Sequence, residues 1–462
     1  MSFFVVLSII LALALPGCNI YKNGTYKSNN ASEIANTLRT KIGDNPPEFH
    51  FTEEAFMTSK YRENTIQVIN KKYLQALSFL KRIGNDEKLS YLTDQYGRVQ
   101  YFAQKMKEAK EKNDWIGLWE SSGEVLSEGY YVLPYSVRDN DLSNLYNEAS
   151  DTYKKAKYRV EQLSQKALEY EYSSKISFDD WLSLSYAEDN IERDIKSNLF
   201  KQIDSLLSRC VSLSQELNRN ARQEINNNSH PVDVEMARSL GGALSDLWMV
   251  EDELDRSEII INAIKMGKDS EKSRKEVLDF YRKKAEKAVE DMANKTQDKS
   301  WGKELYTYAT GNYNNAKRLE KEGFYSLALL RYQSAYIFSI LSKDWAEYPD
   351  IIDYQDVKAE NVSVEDLVKA WKDSVEEFEK IKVTLDKYSK EGKVFLNIRY
   401  LTGRGFYGSW FSVGDNYLRT FVEKQTHWEI SSNIAYMNVG PVPVALKIIE
   451  EDLENLSAKD GT

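Results

Sequence analysis

Along most of the chain, apolar residues recur at steps of three and four, the period of an amphipathic helix, and strict alternation is scarce. The pattern predicts long helices over about 52–83, 86–112, 141–172, 177–226, 232–266 and 270–294. In the first, Thr52 stands as a cap, Tyr73, Leu77 and Leu80 mark one face, and Gly84-Asn85 is the stop. The stretch 113–140 predicts a short helix and a tight aromatic connection ending at Pro134. Segment 177–226 exceeds the usual helix length and is expected to kink. Its apolar series Ile191, Ile195, Leu199, Ile203, Leu206, Cys210, Leu213, Leu217 reads as a buried stripe. Ser177 with Asp180, and Ser363 with Asp366, have capping-box spacing, the second opening an amphipathic helix through Leu367, Trp371, Phe378 and Leu385. His230-Pro231 marks a break. Residues 393–440 are the least helical by composition, and a last helix is expected over 444–457.

Residues 18–50, polar and containing Pro46-Pro47, predict a flexible tether, apart from a short helix at 32–42. Before it, Phe3 to Leu15 is free of charge and too short to span a bilayer, which suits the core of an export signal. The run Leu15-Pro16-Gly17-Cys18 resembles the lipobox of prokaryotic lipoproteins, although Pro16 stands where Ser or Ala is usual and no Lys or Arg precedes the apolar run. The resemblance implies a signal over 1–17 and a lipid on the Cys18 thiol. An ordinary cleaved signal would instead leave Cys18 incidental, and an uncleaved anchor would leave it at the membrane surface. A disulfide to Cys210 fits poorly, because Cys210 lies on the apolar stripe of a helix.

The segment "ATGNYNNAKRLEKEGFYSLALLRYQSAYIFSILS" places Ala316, Gly323, Tyr325, Ala328, Tyr332 and Ala335 at the positions of a tetratricopeptide repeat, with Asn312 where that repeat has Trp. It resembles one such unit. The small residues let two helices approach closely, and Gly323 supplies the turn. No convincing second copy appears. The expected architecture is therefore all-α, an irregular array of antiparallel helical hairpins. Its parts are a signal (1–17), a tether (18–50), a long-helix bundle (51–295), a repeat-like hairpin (296–345) and a C-terminal helical region with an aromatic, Gly-rich segment (346–462).

Composition narrows the function classes. Eight prolines against 30 tyrosines suit long packed helices with wet edges. A net charge of −10 and a pI near 5.3 argue against nucleic acid as a partner. His50, His230 and His427 are too scattered for a helical metal site, and no phosphate-binding loop or nucleophile elbow is present, so no cofactor is called for. Acidic clusters at Asp179, Asp180, Glu188, Asp189 and at Glu251, Asp252, Glu253, Asp255 are the raw material for a two-carboxylate sugar hydrolase, but charged helix faces are normally just solvated. The aromatic group Tyr407, Trp410, Phe411 and Trp428 is the candidate partner surface, weighed against a place in the core. The reading is a membrane-anchored extracytoplasmic binding or scaffold protein with a protein partner in the cell envelope. A carbohydrate-active hydrolase or lyase is the alternative.

Overall fold

A computed structural model describes residues 31–43, 60–83, 93–136, 139–222, 230–267, 270–293, 300–345, 362–390, 410–426 and 428–460, together with Met57. The fold is all-α, with no strand among the described residues. Two compact units are formed, and the chain passes between them more than once. The hairpin unit takes Met1–Ala55, Ser174–Leu182 and Gly267–Thr462; the long-helix unit takes Phe56–Ser173 and Ser183–Met266.

The long-helix unit is built from α2 (Arg62–Ile83), α3 (Thr93–Lys112), α4 (Trp115–Ser136), α5 (Asp139–Glu171), the end of α6 (Phe178–Asp189), a π-helical segment (Asn190–Leu199), α7 (Phe200–Arg222) and α8 (His230–Ala263). Helix α8 is central, packing on α4, α5, α7 and the π segment, while α2 packs on α4 and meets α8 through Lys72, and α3 reaches the core through α4. The close approach of α8 to α4 depends on Gly241, where a Cβ would meet the Tyr131 carbonyl oxygen. Two expectations change here. Pro134 does not end a connection but sits buried in the last turn of α4, where its missing N–H costs a single intrahelical bond near a terminus. The inward stripe of α2 is not Tyr73, Leu77 and Leu80, which are half-buried, but Ile69, Lys72, Ala76, Phe79 and Ile83.

The π segment is where the predicted long helix departs from α-helical winding. Ile191, Ile195, Leu199, Ile203 and Leu207 are all buried, at successive steps of four. Each step oversteps a 3.6-residue turn by about 0.4 residue, so a plain α-helix would carry this stripe away from α8. The wider i→i+5 turns take up the excess and keep the apolar row on its partner.

The hairpin unit holds α1 (Ala31–Ile42), the start of α6, α9 (Glu271–Met292), α10 (Ser300–Glu322), α11 (Tyr325–Trp345), α12 (Val364–Lys390), α13 (410–424), α14 (Trp428–Val439) and α15 (Val442–Asp460). The repeat-like element is a tight hairpin of α10 and α11. Gly323 turns it with φ +90°, and Ala316, Ala328, Tyr332 and Ala335 are buried between the helices. Helix α9 packs on α11 and α15, with the buried Tyr281 hydroxyl donating to Asp452 at 2.6 Å, which places 271–292 with the hairpins and not with the long helices. Ser177 caps α6 by accepting from the Asp180 N–H at 3.0 Å while its hydroxyl donates to the Asp180 carboxylate, and Ser363 does the same with Asp366 on α12.

The segment expected to be least helical carries α13 and α14, because Gly414 lets the two helices meet with no room for a Cβ beside Ala435 and Val439. The short helix expected at 32–42 is present. Helix α1 buries Ala31, Ala35, Leu38 and Ile42, packs on α12, and ends at Gly43, whose carbonyl accepts from Arg419 of α13 at 3.0 Å. Cys210 is buried and free, and burial pushes its thiol up to about 11.

Candidate functional site

The densest chemistry lies in the long-helix unit, on the two turns of α8 from Glu251 to Glu258. Lys72 enters it from α2 as part of that helix's buried stripe, and its side chain is wholly out of solvent. A lone ammonium there would be prohibitive, so the site is built to pair it. Its Nζ meets the Asp252 carboxylate and lies over the rings of Trp119 and Trp248, 4.8 and 5.0 Å from their centroids. Asp252 is held further by the Trp119 indole N–H at 3.3 Å and by Arg256 Nε at 2.8 Å, while Arg256 also covers the Trp119 ring. The result is a sandwich of cation, carboxylate and ring in which each member neutralises or shields the next.

Flanking charges are handled in the same way. Arg159 of α5 pairs with Glu251 at 2.8 Å, with Asp255 at 2.6 Å and with Glu258. Arg193 of the π segment pairs with Asp189 at 3.0 Å and with Asp194 at 2.8 Å. Glu253 is raised above the usual carboxyl range by burial, aided by Asp194 and opposed by Arg256, Arg193 and Lys72. Two turns earlier, burial pushes Asp246 up to about 7.

These residues include most of the acidic positions singled out as raw material for a hydrolase. Asp180 is held by the Ser177 cap, Asp189 by Arg193, Asp252 by Lys72 and Arg256, and Glu251 and Asp255 by Arg159. Such pairing ties these carboxylates to cations or to a helix cap. No group of three or more His, Cys, Asp or Glu able to hold a metal occurs among the described residues, and none of the described helices is long and apolar enough to cross a membrane.

The aromatic group lies in the hairpin unit. Trp410, Phe411 and Trp428 are buried. Phe411 packs against Trp371 and Phe378 at centroid distances of 5.8 and 6.0 Å, and Trp428 against Phe421 at 4.8 Å. The nearby Trp371 indole donates to Asp415 at 2.8 Å, and Arg419 completes that carboxylate at 2.7 Å. Phe411 joins α13 to α12 and Trp428 joins α14 to α13, and all three rings present little surface to a partner. Tyr407 and Cys18 lie outside the described residues. The exposed aromatics of this unit stand elsewhere, at Phe280 of α9 (48% exposed) and Tyr325 of α11 (40%). On α9, Lys284 lies over Tyr336, 4.2 Å from its centroid, as well as near Phe280.

No protein-family profile, curated protein or solved structure matches this chain. The charged core was hidden in the sequence because Lys72 was counted by polarity, although it occupies the inward position of the series 69, 72, 76, 79, 83. Arg159 gives no local signal, since its partners lie on another helix, whereas Arg193 stands four residues after Asp189 and next to Asp194, a spacing the sequence does show.

Proposed function

We propose that this protein is an exported lipoprotein, held to the extracytoplasmic face of a membrane by a lipid on Cys18, that works as a helical binding or scaffold module for a protein of the cell envelope. The observation that supports the anchor is the Leu15-to-Cys18 sequence directly after a charge-free apolar run. Two chains are the minimum for durable attachment, since one acyl chain binds marginally. The binding role is supported by the α9–α11 face, where Phe280 and Tyr325 are exposed on rigid helices with a lysine between aromatic rings. Large rings on a preformed surface are the usual anchors of protein recognition.

The test is affinity capture of the anchored protein from its native envelope after crosslinking, comparing wild type with Phe280→Ala and Tyr325→Ala. A specific neighbour that weakens in these variants by about tenfold or more, while both melt like wild type, supports the reading. Capture of the same neighbour at undiminished strength moves the surface elsewhere, and turnover of a sugar polymer lost in a carboxylate variant replaces binding with hydrolysis.

A further inference from the structure

We propose that Met266 is an oxidation site, at which a peroxide converts the thioether to the sulfoxide, and that the new oxygen fastens the C-terminal ends of α5 and α8 to each other. Access singles out this sulfur. Met106, Met236, Met292 and Met437 are buried, Met57 and Met249 are half-buried, and Met266 is 61% exposed. Cys210 does not compete, since its thiol is buried and raised to about 11, which leaves little thiolate to react. Among the sulfurs of the described residues, a peroxide in solution therefore meets that of Met266 first.

A polar partner stands at the end of the neighbouring helix. The Ser173 hydroxyl donates to Met266 Sδ at 3.6 Å. Here α5 and α8 run parallel, joined by polar side chains at seven-residue steps of α5. Arg159 pairs with Asp255 at 2.6 Å, Lys166 Nζ donates to the Asn262 amide oxygen at 2.8 Å, and Ser173 meets Met266. A step of seven returns to nearly the same face of a helix, so the three contacts form one seam. The first two have oxygen acceptors, whereas a thioether sulfur is a weak acceptor. The seam is thus weakest just past Glu171 and Ala263, where both helices have ended.

Oxidation reverses that weakness. A sulfur lone pair attacks one peroxide oxygen, and the S–O bond forms as the O–O bond breaks. The departing hydroxide takes the proton left on the bound oxygen and leaves as water. Sulfur loses two electrons and the peroxide gains them. The product is a polar group carrying an oxygen acceptor, a change that disrupts a core. Met266 is not in a core: its side chain already stands in solvent beside a hydroxyl donor. The Ser173 O–H then donates to the sulfoxide oxygen, and the seam gains a hydrogen bond of ordinary strength at its open end.

The experiment treats the full chain with hydrogen peroxide under native conditions and follows each methionine by peptide mass. Met266 is expected to gain one oxygen at least about tenfold faster than Met106, Met236, Met292 and Met437, a difference that should vanish in denaturant. Hydrogen exchange over peptides covering 259–266 should be slower in the oxidised chain by about fivefold, the effect of one ordinary hydrogen bond. Ser173→Ala should abolish that slowing while leaving the oxidation itself intact, and Ser173→Thr, which keeps a hydroxyl, should restore it. Oxidation of Met266 no faster than that of the buried methionines overturns the site. Unchanged exchange in oxidised wild type, or an equal slowing in Ser173→Ala, overturns the fastening.

Discussion

Lys72 of α2 and Asp252 of α8 form an ion pair in the interior of the long-helix unit, with the lysine sealed from solvent between two tryptophans. Removing the carboxylate strands the lysine, whereas removing the lysine leaves Asp252 with Arg256 and the Trp119 N–H. Asp252→Asn is therefore expected to cost about 3–5 kcal/mol in equilibrium unfolding, and Lys72→Met less. The double variant Lys72→Met, Asp252→Asn should recover part of the Asp252→Asn loss, because the buried ammonium is no longer left without its carboxylate. Strictly additive losses in the cycle would mean that the pair contributes nothing as a pair.

The hairpin of α10 and α11 is tested at Ala328, fully buried at the crossing with α10. Ala328→Trp forces a ring into a space sized for a methyl group, at a cost of at least about 1–3 kcal/mol. The melting temperature should fall accordingly, and an unchanged value would mean that the helices do not meet there.

How far the sequence discloses this structure depends on whether the deciding partner is near in the chain. The caps at Ser177 and Ser363 were legible because a box closes within three residues. The turn at Gly323 and the small residues facing it were legible for the same reason. Lys72 was not, since its partners Trp119 and Asp252 lie 47 and 180 positions away and only a fold brings them together. The π segment was visible solely as an apolar row with steps of four, which period counting blurs into the ordinary helical pattern. Helices α13 and α14 were obscured by Gly and Pro neighbours, although Gly414 is there for close packing. The charged core could have been suspected from a lysine at an inward position of an amphipathic stripe.

Cys210 offers a test of burial with a pH sign. Burial raises its thiol to about 11, so at neutral pH the thiolate that reacts is scarce and shielded. A thiol reagent at about pH 7.5 should leave Cys210 unmodified in the native chain and label it fully in denaturant. Rapid native labelling would show that α7 opens readily from α8.

Trp410→Ala and Phe411→Ala should each lower stability by about 3–5 kcal/mol, because each ring is buried at the joint of α12, α13 and α14. Any loss of partner capture in these variants would track the fraction unfolded. Normal melting together with lost capture would return this group to the role of a contact surface.

The proposed anchor at Cys18 would also limit how far the protein can stand from a membrane. If Cys18 carries the lipid, Cys18→Ser should move the protein to the soluble extracytoplasmic fraction or leave it unprocessed, and intact mass should show a chain beginning at Cys18 with its acyl groups. A mature chain with another start and no lipid removes the anchor. The docking of α1 then fixes the leash, for Ala31 follows Cys18 by thirteen residues, which span at most about 45 Å when fully extended. Undocking α1 with Leu38→Asp, a charge placed at a fully buried position against the hairpin unit, should abolish hydrogen-exchange protection over 31–42 while leaving the protein in the membrane fraction. The longer leash should then let a crosslinker on the hairpin unit lose its reach to the lipid headgroups. If protection over 31–42 is already absent in wild type, α1 is not docked and the short leash fails, whatever becomes of the anchor at Cys18.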